Sequence, residues 1–399
     1  MRFSSKIQRC ELSPVRKFYP YELAAVEKGL KVRHLNIGQP DIETPRVFFD
    51  AVSKFADTVL AYAPAPGETY FLEATRRYYE SLGFPISCED ILATYGGSEA
   101  LQIVMSCILE EGDEVLVPEP FYPNYTTFIN ITGGKIRPIP TTAENGYRFA
   151  TRQQIEPLIN EHTRAILMTN PGNPTGVVLT QEEMRLMADI AKEHELFLIS
   201  DEVYREIVYT GDKLSSMLAF ADAADNVVVI DSVSKRFSAT GARVGALISR
   251  NRALMDEAMK LCQGRLCTAT LDQVGAAAMY DRLKPAYYTS VREEYRRRRD
   301  AVVAALSKIP GVEFRSPEGA FYLMVTLPVD DTEKLQYFLL QEFQDQGETV
   351  MVTPGDGFFS DPALGRNKVR IAYVTNPEDV TRAIELLGLG IQAYNARKA

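Results

Sequence analysis

The chain has 399 residues, 46% hydrophobic and 24% charged, enough to bury a sizeable core and to fill two domains. Its formal net charge of -9 argues against nucleic acid as the main partner, because phosphate backbones are held by clustered Lys and Arg. Residues 1–6 lack the apolar run of a signal peptide and no window holds the ~20 apolar residues of a membrane helix, so a cytoplasmic chain with no membrane partner is expected.

In chain order, residues 98–109 read as a largely buried helix entered from Gly96-Gly97, and 114–118 (EVLVP) as a short strand. Residues 165–169 (AILMT) form a second strand, followed by a Pro/Gly loop and an amphipathic stretch over 181–194. The runs 196–200 (LFLIS) and 227–231 (VVVID) are continuously apolar, as suits strands covered on both faces. Helices between such strands predict parallel crossovers, hence an α/β, doubly wound, mostly parallel large domain over 46–285. Lys284-Pro285 breaks the pattern, and the helix-like stretch 291–306 follows with Arg296 to Arg299, read as a solvated basic face. Beyond it lie a strand at 321–325, a helix at 332–346 and a strand at 369–373. These predict a smaller α+β domain made of 1–45 and 286–399, docked so that a ligand cleft lies between the two.

Five cysteines (Cys10, Cys88, Cys107, Cys262, Cys267) show no metal-ligand spacing and read as free cytosolic thiols. The only histidines are His34, His162 and His194, which leaves a zinc site or a Ser–His hydrolase short of its usual residue. No metal is expected.

The chemistry points elsewhere. In 231–245 (DSVSKRFSATGARVG), Lys235 stands just past a buried strand, where open α/β sheets place ligands. Ser232, Ser234 and Arg243 around it are groups that hold a phosphate, and a lysine amine close to another cation becomes nucleophilic. Asp201 ends another strand, where a carboxylate can pair with a protonated pyridine nitrogen and keep the ring an electron sink; Tyr204 is three residues on. The turn 170–176 (NPGNPTG) presents Asn173 in one orientation. Gly96-Gly97-Ser98 opens a helix whose free N–H groups suit a phosphate.

Together with IGQPD at 37–41, YAPAPGETYFLEA at 62–74, GGSEAL at 96–101, FYPNY at 121–125, DEVY at 201–204, GAFYLM at 319–324 and VRIAY at 369–373, this ordered set resembles the fold type I, class I/II aminotransferases. The resemblance implies pyridoxal 5'-phosphate as cofactor, bound as a Schiff base on Lys235, which then shuttles the proton of the substrate Cα. It implies that Asp201 pairs with the pyridinium nitrogen, that Asn173 and Tyr204 contact the ring oxygen, and that Tyr122 stacks on the ring. Gly97, Ser98, Ser232 and Arg243 are implied to hold the phosphate, with Tyr62 reaching the phosphate of a neighbouring subunit in a homodimer. Arg370 is implied to pair with the α-carboxylate of the amino acid or 2-oxo acid substrate, under a segment containing Gly38. Arg265 and Arg16 are both candidates for a distal carboxylate. A β-lyase or decarboxylase on the same fold, and a non-catalytic ligand-binding or regulatory protein, remain as alternatives. A dinucleotide oxidoreductase fails for want of a G-x-G-x-x-G turn after a first strand.

Overall fold

A computed structural model describes residues 1–14, 16–211 and 215–397; Val15, within the segment 13–16, lies outside them. A seven-stranded sheet organises the chain, in the order Ile91–Thr94, Gly245–Ile248, Val227–Ser232, Phe197–Asp201, Thr163–Thr169, Glu114–Glu119 and Lys135–Pro140. All its pairings are parallel except those of Gly245–Ile248, which runs antiparallel to both neighbours. The apolar runs are strands because both faces are covered. Val227 and Val229 enter one apolar cluster with Leu198 and Met168, while Val228 and Ile230 enter another with Ile199 and Leu167.

The helix Gln181–Glu193 shows how local signals place the covering layer. Thr180 accepts from the Glu183 amide and Glu183 accepts from the Thr180 amide, a reciprocal cap that fixes the start. Met184, Met187, Ala188 and Ala191 then bury one helical face. Lys284-Pro285 does end one element, yet Pro285 is the first residue of the next, the helix Pro285–Leu306, where its missing N–H is harmless.

A four-stranded antiparallel sheet contains Tyr322–Thr326 and Lys368–Ala372, with a separate apolar cluster around Phe321, Leu323 and Ile371. The N-terminal strand Lys31–His34 pairs in parallel with Glu348–Met351, so the start of the chain is built onto its C-terminal part. The helix predicted over 332–346 stops at Gln341; Gln346 and Gly347 turn the chain at positive φ into Glu348–Met351. Arg298 corrects the solvated-face reading of the basic run. It is buried and donates to Asp41 at 2.6 Å, to Glu294 at 2.8 Å and to the Val374 carbonyl. All five cysteines are free, no group of metal-ligating side chains occurs among the described residues, and no described helix is long and apolar enough to cross a membrane.

Candidate active site

A cleft of about 1030 Å³ opens at the carboxyl ends of the strands Phe197–Asp201 and Val227–Ser232. It is walled by the N-terminal segment through Arg16, Tyr19, Glu22 and Asn36 to Gln39, and by Tyr322, Met351 and Arg370. Of the residues singled out by sequence, Gly38, Gly97, Ser98, Tyr122, Asn173, Asp201, Tyr204, Ser232, Lys235, Arg243, Arg370 and Arg16 all line it.

The phosphate-binding candidates meet at two turns. Gly96 has φ +73°, and a Cβ there would lie 2.7 Å from the Arg243 Nη2, so only glycine lets that guanidinium approach the start of the helix Gly96–Ile108. Arg243, itself at positive φ, donates to the carbonyls of Tyr95 and Thr240, both at 3.1 Å. Ser232 caps the one-turn helix Val233–Arg236, its Oγ accepting from the Ser234 amide at 3.1 Å. Lys235 therefore projects from a fixed turn, and its Nζ donates to the Gly38 carbonyl at 2.7 Å. Gly38 is a close approach: a Cβ there would overlap the Tyr322 hydroxyl.

Asp201 is buried, and burial, as the largest cause, pushes its carboxyl up to about 6. It accepts from the Tyr125 hydroxyl at 2.8 Å, and Tyr125 in turn meets Thr169 Oγ1 at 2.6 Å. Its other oxygen accepts only a long bond, 3.4 Å, from the Val203 amide. The Tyr204 hydroxyl meets that of Tyr322 at 3.1 Å; burial, then Tyr322, holds the Tyr204 phenol well above its usual value. Tyr122 accepts from Asn124 Nδ2 at 2.8 Å, and burial pushes its phenol up to about 12. The buried Arg370 donates to Asn173 Oδ1 at 3.2 Å and to the Asn36 carbonyl at 2.7 Å, lies 4.6 Å from the Tyr322 ring centre, and leaves its Nε without a partner.

The charges do not balance. Among the described residues Lys235, Arg243, Arg370 and Arg16 pair with no carboxylate, and the buried Asp201 pairs with no cation. Asp201 and Arg370 are buried and Lys235 is half-buried, where charges are ordinarily paired, whereas Arg243 and Arg16 are exposed at the rim. A ligand that brings a phosphate, a carbonyl, a carboxylate and a protonated ring nitrogen would complete Arg243, Lys235, Arg370 and Asp201 and leave Arg16 over, so the donor set fits pyridoxal phosphate together with a carboxylate substrate.

Two sequence candidates lie outside the cleft. The Arg265 guanidinium meets Glu99 at 3.1 Å and donates to the Ala93 carbonyl at 2.7 Å, so it is engaged at the base of the helix Gly96–Ile108 and not aimed at a substrate in its own subunit. Tyr62 is exposed on the outer surface. Tyr125, Tyr322 and Asn36 are functional neighbours that the sequence reading passed over. Tyr125 and Tyr322 both sit in motifs already singled out: Tyr125 is the second tyrosine of FYPNY and Tyr322 the only one of GAFYLM.

The sequence model of "Aminotransferase class I and II" matches residues 31–387. The chain belongs to this family and is a transaminase. Among its relatives, the aspartate aminotransferase of Thermotoga maritima is 30% identical over 386 residues, covering 96% of this chain and 97% of that one. Aromatic-amino-acid aminotransferase 2 of Thermococcus litoralis is 29% identical, with 96% and 97% covered. The solved structure of an alanine aminotransferase from Pyrococcus furiosus superposes with a TM-score of 0.88 at 28% identity, covering 98% of this chain and all of that one. These relatives differ in the amino acid they are named for. The family thus fixes amino-group transfer, while the substrate must be read from the cleft.

Proposed function

We propose that this transaminase moves an amino group from an L-amino acid to a 2-oxo acid with pyridoxal phosphate carried on Lys235. The observation that supports it is the unbalanced charge of the cleft: cations without anions at Lys235, Arg243 and Arg370, facing a buried anion without a cation at Asp201. Gly97, Ser98, Ser232 and Arg243 would hold the phosphate, Asn173 and Tyr204 the ring oxygen, Asp201 the ring nitrogen, and Tyr122 a ring face. When bound, the cofactor supplies an electron sink for the pair left behind when the substrate Cα loses its proton.

The rest is the work of this chain. Asp201, held by Tyr125, keeps a proton on the ring nitrogen; a cation there offsets the burial that raises its carboxyl. Lys235 Nζ, already within hydrogen-bond reach of the Gly38 carbonyl, would take the proton from the substrate Cα and deliver it to the cofactor's C4′. Arg370 orients the α-carboxylate, its own plane fixed by Asn173, Asn36 and Tyr322. Asn36, Ile37 and Gly38 cover that position and limit water.

For the distal end of the substrate we retain Arg16, which faces the cleft unpaired, and leave out Arg265, which is engaged by Glu99. A dicarboxylic donor is the corresponding substrate class. The reading also divides the chain into a large domain over 46–285 and a small domain of 1–45 and 286–399, and places it in the cytoplasm. It includes a homodimer, in which Tyr62 reaches the partner's phosphate. Exposed Val59, Leu60, Tyr62 and Leu266, with Tyr70 and Tyr95 bonded to the carbonyls of Thr270 and Cys267, supply an apolar face for it.

The test is the absorption spectrum of the loaded protein with a panel of amino donors. A visible band that gives way to the near-ultraviolet band of pyridoxamine phosphate, with release of a 2-oxo acid, is the expected half-reaction. Release of ammonia and pyruvate with the visible band restored would instead establish a lyase.

A further inference from the structure

On the core side of the Lys235 turn lies a second set of ionisable residues that none of these steps uses. Asp231, at the end of Val227–Ser232, accepts from Arg236 Nη2 with both oxygens at 2.9 Å, from the Tyr79 hydroxyl at 2.8 Å and from the Ser232 amide at 2.7 Å. Arg236 also donates to the Tyr280 hydroxyl at 2.9 Å. Arg205 lies 3.5 Å from Asp231, donates to Glu202 at 3.0 Å and to the Tyr78 hydroxyl at 3.3 Å, and Tyr78 donates to Glu206. The other Glu202 oxygen accepts from the Met217 amide at 2.8 Å. All of these side chains are buried, and Arg205 stacks on Tyr79 at 4.4 Å while Arg236 stacks on Tyr78 at 4.5 Å.

Two features connect this set to the cleft. Arg236 follows Lys235 and Glu202 follows Asp201, and the strands that end there are neighbours in the sheet. Lys235 rides on a helix of four residues, too short to hold its own orientation. Its anchors are the Ser232 cap, the Val233 amide on the Val244 carbonyl at 3.1 Å, and the double bond from Arg236 to Asp231. Apolar packing would serve stability at least as well as buried ions do, and Arg205 Nε and Arg236 Nε are left without partners. What ions add is fixed geometry.

We propose that this network is a positioning frame, which ties Arg236 to Asp231 and Arg205 to Glu202 so that Lys235 and Asp201 keep one spacing across the two strands. The proposal rests on the cofactor roles assigned above to Lys235 and Asp201. Arg236 and Arg205 then act on the reaction through the backbone and without touching substrate, as positioning residues. A small displacement of reacting groups by a remote change costs up to about a hundredfold in rate.

The test uses the loaded enzyme and the variants Arg236→Lys, Tyr280→Phe and Tyr79→Phe, with melting curves, the ratio of visible to near-ultraviolet cofactor absorbance at fixed pH, and kcat and KM for the amino donor. In variants that still melt cooperatively, the frame requires a changed absorbance ratio and a kcat lower by roughly tenfold, with KM moving less than about threefold because Arg370 and Asn173 are untouched. Should Arg236→Lys fail to fold, the two Tyr→Phe variants, each lacking one hydroxyl, decide alone. Folded variants with the native absorbance ratio and native kcat overturn the proposal and leave the network structural. If the unaltered protein shows no Lys235-dependent band, the cofactor reading itself has failed, which is a separate result.

Discussion

Two groups of charged residues occupy the ends of the same two strands and differ in what balances them. Asp231, Arg236, Arg205 and Glu202 are buried and paired with one another, and Tyr79 and Tyr280 supply further hydrogen bonds. One residue away along the chain, Lys235 and Asp201 face the cleft and pair with no opposite charge among the described residues, as do Arg243 and Arg370. A charge paired in the ligand-free protein is part of the fold. A buried charge left unpaired, as at Asp201 and Arg370, costs stability until something arrives, so the contrast separates the groups that hold the site from the groups that await its ligands.

The comparison can be broken most sharply at Lys235. Lys235→Ala should remove the visible band and lower transamination by about 10³-fold or more, while the protein stays folded, as circular dichroism would show. Asp231→Asn should act first on stability, since it takes from the buried Arg236 the one carboxylate it pairs with among the described residues and leaves Arg205 only Glu202; denaturant melts should show a loss on the order of 3–5 kcal/mol. Arg370→Ala should lower kcat/KM for every amino donor by roughly 10–100-fold, the worth of a charge-assisted pair, and change the melt far less than Asp231→Asn.

Asp201 sharpens the contrast through pH. Its carboxyl is raised to about 6 in the fold against 3.8 unfolded, so the folded protein holds the proton more tightly. The resulting penalty is absent below the unfolded value, grows as pH rises between the two, and is complete above the folded one. Cofactor-free Asp201→Asn should therefore be more stable than the parent by about 1–3 kcal/mol above the upper value and no more stable below the lower one. Equal melts at all pH values would show that the unpaired carboxylate carries no such penalty. The smallest effect concerns Arg16: its replacement by Ala should lower the preference for dicarboxylic over monocarboxylic donors by roughly tenfold, whereas Arg265→Ala should weaken both alike.

Much of this was legible in the sequence because the site is built from strand ends and loops. The runs at 196–200 and 227–231 announce buried strands, and in a sheet of this kind the residues beyond them, Asp201 and Lys235, must emerge at the ligand edge. The strand Gly245–Ile248 escaped notice because its four residues are short and its antiparallel pairing leaves no sequence mark. The burial of Arg298 is not legible because it is satisfied by Asp41, distant in sequence, and nor is the contact of Arg265 with Glu99, since no local pattern reveals either. The frame around Asp231 was hidden in the same way, since Tyr79 and Tyr280 come from helices far along the chain. Only the structure shows that Gly38 and Gly96 are also places of close approach, by the Tyr322 hydroxyl and the Arg243 guanidinium.

The central claim is that the unbalanced cleft holds pyridoxal phosphate on one lysine. The most direct measurement is borohydride reduction of the loaded protein followed by peptide mass spectrometry. The account predicts one stable phosphopyridoxyl group per chain, on the peptide containing Lys235, and its loss when a saturating amino donor is added before reduction. A group on a different lysine, or none on Lys235 under conditions where the visible band is present, would contradict it.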